Sequence, residues 1–159
     1  MKDSRKIITV YLDTCVYNRP FDDQTQPRIC LETLAFVTIM QLIEMGQITL
    51  ATSSVLAFEN NNNPFHSRQQ WVNYCVNYAK YHQTVNENIQ KRAKQLEKMG
   101  LKPIDALHVA CAETNDCDYF LTGDDRLIKR YKDNILQVKN PVEFILLLTG
   151  KNDENENAE

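Results

Sequence analysis

Little in this sequence interrupts regular structure. It has only four glycines and five prolines in 159 residues, so disorder is expected at the ends alone. No segment approaches the roughly 20 apolar residues that a membrane-spanning helix needs. The apolar run that follows the first six residues is too short for a signal peptide. The five cysteines, Cys15, Cys30, Cys75, Cys111 and Cys117, form no C-x-x-C pair. An odd number without that spacing matches neither a zinc site nor a disulfide framework, and reduced thiols in the cytoplasm are the expectation. Positive charge is also scarce overall: the formal net charge is −3 and the pI about 5.6, which excludes a global field attracting nucleic acid. A polyanionic substrate therefore needs a local basic surface. Lys91, Arg92, Lys94, Lys98 and Lys102 offer one, and Arg126, Lys129, Arg130 and Lys132 another, although solvated helix faces are the commoner reason for such runs. There is no internal repeat. Residues 1–149 read as a single domain, and 150–159 as a polar tail expected to be disordered.

Hydrophobic residues make up 43% and charged residues 25%, the balance of a globular protein. Lys6 to Leu12 is nearly continuous in apolar and β-branched residues, as in a parallel strand buried on both faces. The polar stretch Asn18 to Pro27 reads as a loop, and Arg28 to Met45 as a helix ended by Gly46. Gln47 to Thr52 is the next strand. Ser53 or Ser54 caps a short helix carrying Glu59, and Asn60 to Pro64 then reads as a flexible connection. Further helices are expected over His66 to Tyr81, Asn86 to Met99 and Ile104 to Thr114. After them come a strand at Asp118 to Thr122, a short helix at Leu127 to Tyr131, a strand at Ile135 to Val138 and a helix from Pro141 to Leu148. Strands alternating with helices predict an α/β fold with a central parallel sheet covered on both faces.

Four acids stand at the edges of apolar segments. Asp13 ends the first strand, Asp124 follows Tyr119-Phe120-Leu121-Thr122-Gly123, Glu59 closes Ser53 to Phe58, and Asp105 sits in a first helical turn. Taken singly, Asp105 suits the helix dipole, Asp124 suits a turn and Glu59 suits solvent. Asp13 is harder to explain, because strands disfavour Asp in their interiors. In an open parallel sheet, ligands bind outside the carboxyl ends of the strands, where these acids can meet. Converging carboxylates repel one another and call for a cation, and hard oxygen donors favour Mg2+ or Mn2+. Metal-dependent phosphodiester chemistry follows as the expectation. Other nucleophiles fit poorly. His66 and His82 lack ligand spacing, His108 reads as a packed imidazole, and Cys15 has no positioned base. A dehalogenase-type phosphatase wants an Asp where Cys15 stands, and neither Lys102 nor Lys129 suits a phosphorelay receiver. The stripe Trp71, Tyr74, Cys75 and Tyr78 reads as core or a dimer face rather than as a base-stacking platform.

The segments Tyr11-Leu12-Asp13-Thr14-Cys15-Val16, Pro103-Ile104-Asp105-Ala106-Leu107-His108-Val109-Ala110-Cys111-Ala112 and Asp118-Tyr119-Phe120-Leu121-Thr122-Gly123-Asp124 resemble the PIN-domain family of metal-dependent ribonucleases. The resemblance runs from about Ile7 to Leu148. It implies a Rossmann-like three-layer α/β/α fold and hydrolysis of single-stranded or structured RNA with Mg2+ or Mn2+. It also implies that Asp13, Glu59, Asp105 and Asp124 are the catalytic acids and metal ligands. Asp13 and Asp105 are expected to hold one ion and Glu59 and Asp124 to complete its shell, with one ion or two left open. Thr122 matches the family's supporting hydroxyl. Thr14 is assigned a supporting role beside it, and so is Asp125, an alternative to Asp124. Asn18 and Arg19 are candidates for touching substrate. Many small members of the family are toxins of toxin-antitoxin pairs, which adds an antitoxin and a homodimer as expected partners. The rival reading is a non-catalytic PIN-like RNA-binding or protein-interaction module, against which the retention of four acids speaks.

Overall fold

The computed structural model describes residues 6–156, with side chains described to Gly150. The chain begins with β1 (Ile8–Leu12), a one-turn helix α1 (Thr14–Asn18) and a 3-10 turn (Arg19–Phe21), followed by α2 (Pro27–Glu44) and β2 (Ile48–Ser53). Next come α3 (Ser54–Asn61), α4 (His66–Val76), β3 (Tyr81–Gln83), α5 (Glu87–Lys98) and α6 (Pro103–Thr114). β4 (Tyr119–Leu121), α7 (Asp125–Arg130), β5 (Gln137–Lys139) and α8 (Pro141–Glu156) complete it. All five strands are parallel, in the order β3-β2-β1-β4-β5. The chain thus builds outward from β1 to β3, then returns to the other side of β1. That reversal opens a crevice between the carboxyl ends of β1 and β4.

Alternation along the strands divides the core in two. Val10, Leu12, Leu50, Tyr119 and Leu121 point to the face covered by α2, α4 and α8, where Phe36, Ile39 and Phe144 are fully buried. Tyr11, Ala51, Phe120 and Val138 point to the face covered by α5 and α6, among Ile89, Leu96, Val109 and Ala110. Period-two side-chain direction on a sheet buried on both sides gives this three-layer arrangement.

Several expectations need correction. The helix read to Tyr81 stops at Val76, and β3, which was not expected, begins at Tyr81. β3 is only three residues long and largely exposed, so it carries no apolar alternation; pairing of Ala51 with Tyr81 creates it. Thr14–Asn18 is a helix capped by the Asp13 side chain, and Arg19–Phe21 is a 3-10 turn within the predicted loop. Ser53, rather than Ser54, caps α3. The asparagine run is built into the structure. Asn60 is buried and its Nδ2 donates to the Gln69 carbonyl at 3.2 Å and to Asn73 Oδ1 at 3.1 Å, while Asn63 Oδ1 accepts from the Phe65 N–H at 3.0 Å. Gly46 closes α2 at φ +73°, with Gln47 N–H bonded to the Leu42 carbonyl, a left-handed cap that L residues adopt at a cost. The last helix continues to Glu156, and residues 157–159 of the expected tail lie outside the described residues.

Candidate active site

The crevice at the end of β1 and β4 gathers the acids through two threonines. Asp13 leaves β1 with its own N–H bonded to the Leu121 carbonyl at 2.9 Å, which ties it to β4. Its Oδ1 accepts from the Thr14 N–H at 2.8 Å and its Oδ2 from Thr122 Oγ1 at 2.8 Å. Thr122 is fully buried, and its Oγ1 also accepts from the Asp124 N–H at 3.1 Å, so one hydroxyl links two acids. Thr14 joins two acids through two groups, its N–H on Asp13 and its Oγ1 donating to Glu59 Oε1 at 2.7 Å. Asp124 caps α7, its Oδ1 accepting from the N–H groups of Arg126 and Leu127.

Asp105 enters from the first turn of α6, which opens with Pro103. Burial raises its carboxyl to about 6, and the charges of Asp13, Asp124 and Glu59 add to the rise while His108 opposes it. The charges of the other three acids therefore all bear on Asp105. Burial also pushes Glu59 up, but hydrogen bonds from His108 and from the Thr14 hydroxyl outweigh it and hold the carboxyl below its ordinary value. Asp13, Glu59 and His108 offer ligand atoms within 4.8 Å of one another. The donors fit a divalent cation. Hard carboxylate oxygens cluster with too little positive charge beside them, and Asp13 is 7% exposed, so solvent alone does not screen them.

The remaining candidates divide. Asp125 points away from the crevice and forms a two-pronged pair with Arg28, at 2.7 and 2.8 Å. We therefore expect Asp125→Ala to leave metal-dependent cleavage little changed, whereas Asp124→Asn lowers it about tenfold or more, measured side by side on one RNA. Asn18 donates to the Thr14 carbonyl at 3.0 Å and accepts from Asn63 Nδ2 at 3.4 Å. Arg19 bonds Glu32 at 3.2 Å and Asp22 at 3.0 Å. Both side chains are engaged within the chain, bracing the turn that follows α1. The first basic surface loses Arg92, which pairs with Glu113 and Asp133. Lys91, Lys94, Lys98 and Lys102 stay exposed. Of the aromatic stripe, Cys75 is buried and Trp71 donates to the Tyr17 carbonyl at 3.0 Å, while Tyr74 and Tyr78 face solvent. Burial and the charge of Asp13 push the Cys15 thiol up, against any role as nucleophile. His66 and His82 are exposed.

Sequence reasoning missed three contributors. Glu32, 1% exposed, sits in α2 with Arg19, Arg28 and Asn140 around its carboxylate. Its signal was a charge at a core-facing position, one helical turn after Arg28. A Cβ on Gly123 would lie 2.7 Å from Arg19 Nη2 and 3.0 Å from Glu32 Oε2, so the turn carrying Asp124 rests directly on this pair. Gly123→Ala should cost about 1 kcal/mol, the low end for overpacking because both atoms are side-chain tips, read as a lower Tm. His108 and Tyr11 are the other two. His108 lies one turn after Asp105 on the same helix face, and Tyr11 faces opposite to its neighbours Val10 and Leu12.

A five-stranded parallel sheet with acids gathered at its carboxyl edge defines an α/β fold of the kind expected from the motifs. The chain belongs to the PIN-domain family, whose model matches residues 10–133. Among solved structures it is similar to VapBC2 from Rickettsia felis bound to a DNA fragment from its promoter, with a TM-score of 0.56, 16% identity, and coverage of 84% of this chain and 98% of that one. It is also similar to PAE2754 from Pyrobaculum aerophilum, with a TM-score of 0.56, 14% identity and 94% of each chain covered. At such identities the likeness is one of fold. A search of curated proteins gives no match. No helix among the described residues is long and apolar enough to cross a membrane.

Proposed function

We propose that this chain is a metal-dependent ribonuclease that hydrolyses RNA phosphodiester bonds in the cytoplasm as the toxin of a toxin-antitoxin pair. The observation that carries the reading is the gathering of carboxylates at one crevice, where Asp13, Glu59 and Asp124 all bear on Asp105, because a binding-only surface for a polyanion has no use for concentrated negative charge. Membership of the PIN-domain family supports it. Mg2+ or Mn2+, when bound, lowers the pKa of a coordinated water and stabilises negative charge building on the phosphate.

The chain's own residues prepare that chemistry. Thr14 and Thr122 each bridge two acids, which fixes the spacing of Asp13 against Glu59 and against Asp124. Asp105 is held in the first turn of α6, a helix packed on α5 and on the sheet. Lys91, Lys94, Lys98 and Lys102 supply local positive charge for the RNA backbone. The antitoxin is proposed from the similarity to VapBC2, and a homodimer through the exposed Tyr74 of α4 and Tyr78 just beyond it is a further expectation.

The test is cleavage of a pool of single-stranded and hairpin RNA with added Mg2+ or Mn2+. Cutting that disappears with chelator and returns with metal is the expected result. Folded protein that cuts nothing in either metal would move the assignment to a PIN-like binding module.

A further inference from the structure

A buried line of hydrogen bonds runs from the end of β2 into the acidic crevice. Ser53 Oγ lies 2.5 Å from the Tyr11 hydroxyl, which lies 2.7 Å from His108 Nδ1. His108 Nε2 then meets Oε1 of Glu59 in a short hydrogen bond. The same Oε1 accepts from Thr14 Oγ1 at 2.7 Å. Ser53, Tyr11 and His108 are each at most 1% exposed, so none of these groups has water as an alternative partner.

The direction of the line can be worked out from its ends. Ser53 Oγ caps α3 by accepting from the Leu56 N–H, and its own proton is free to go to the Tyr11 oxygen. The Tyr11 hydroxyl, whose oxygen takes that proton, turns its own toward Nδ1. The imidazole proton is then on Nε2, aimed at Glu59.

We infer that Tyr11 and His108 are positioning residues that hold Glu59 by Oε1 and leave Oε2 as the oxygen presented to the divalent ion; this rests on the proposed metal dependence. His108 is on this account not a ligand, although its Nε2 lies within reach of the same centre. With both ring nitrogens engaged, the donors facing the crevice are all carboxylate oxygens. A mixed oxygen and imidazole set suits zinc, whereas an all-oxygen set suits Mg2+ or Mn2+. The relay therefore helps to decide which metal the site accepts.

Two measurements on the full chain test this. Long-range nitrogen-proton NMR of the metal-free protein should find His108 protonated on Nε2 and bare on Nδ1. Titration calorimetry with Mn2+ should show binding weakened about tenfold in Tyr11→Phe and about 10- to 100-fold in His108→Ala. His108→Gln should recover most of it, because its amide N–H reaches the same oxygen. Tyr11→Phe keeps the ring stacked on Phe120 at 5.4 Å, and it decides the matter where His108→Ala fails to fold. An Nδ1-protonated ring, or Mn2+ affinity in Tyr11→Phe equal to wild type with only the Tm lowered, would overturn the inference. Wild-type protein that binds no Mn2+ while showing the expected tautomer would instead refute the metal dependence, and the presentation of Oε2 with it.

Discussion

Asp13→Asn is expected to lower metal-dependent RNA cleavage by at least about 100-fold while leaving the fold intact. The substitution is nearly isosteric, and Asn serves as well as Asp at a helix N-cap, so the bond to the Thr14 N–H that starts α1 survives. An amide can also keep a contact with Thr122, since a hydroxyl accepts as well as donates. What is lost is the negative charge at the point where β1 and β4 meet. Cleavage assays beside circular dichroism and a melting curve read the two halves of the expectation. A well-folded variant that still cuts at the wild-type rate would place the chemistry elsewhere.

The second large effect concerns Asp105. Its carboxyl, raised to about 6 by burial and by the neighbouring acids, holds its proton more firmly in the folded chain than in the unfolded one, whose ordinary value is 3.8. The sign follows from linkage. Below the unfolded value both states are protonated and there is no penalty; as pH rises through the folded value the native state must carry a charge it disfavours, and stability falls. Asp105→Asn removes that charge. In chelator at pH 7.5 the variant should be more stable than wild type by about 1 kcal/mol after allowance for solvent screening at a half-buried group. That amounts to a rise in Tm of roughly 2–4 °C for a chain of this size, vanishing near pH 4. With Mn2+ present the order reverses: wild type gains stability from binding, the variant gains little, and cleavage is lost. A variant no more stable than wild type without metal would mean that the acids are not crowded as the geometry has them.

How much of this was legible beforehand depended on the range of each interaction. A long element with strong periodicity, α5, was readable because its burial pattern is local to the chain, and α2 was readable from its length and the glycine that ends it. The three-residue strand β3 was not, since nothing in Tyr81, His82 and Gln83 announces it without Ala51 alongside. Asp13, Glu59, Asp105 and Asp124 stood out by residue type against apolar flanks. Asp124 and Asp125 looked equivalent in sequence, and only the approach of Arg28, 97 residues from Asp125, separates them. Asn18 and Arg19 looked free for substrate, and Glu32, on a different helix, engages Arg19.

The residues alone determined the α/β class, the one-sided placement of the acids and the family resemblance, because each follows from apolar runs and from short motifs contiguous in the chain. Tertiary structure decided the order of the strands, the threonine bridges, the burial of Glu32 and the line from Ser53 through Tyr11 and His108 to Glu59. The bonds of that line, with those of Thr14 to Glu59 and Thr122 to Asp13, join residues 42 to 109 positions apart. Hydrogen bonds of that kind depend on two segments arriving in the same place, which no local pattern encodes and only the closing of the sheet brings about.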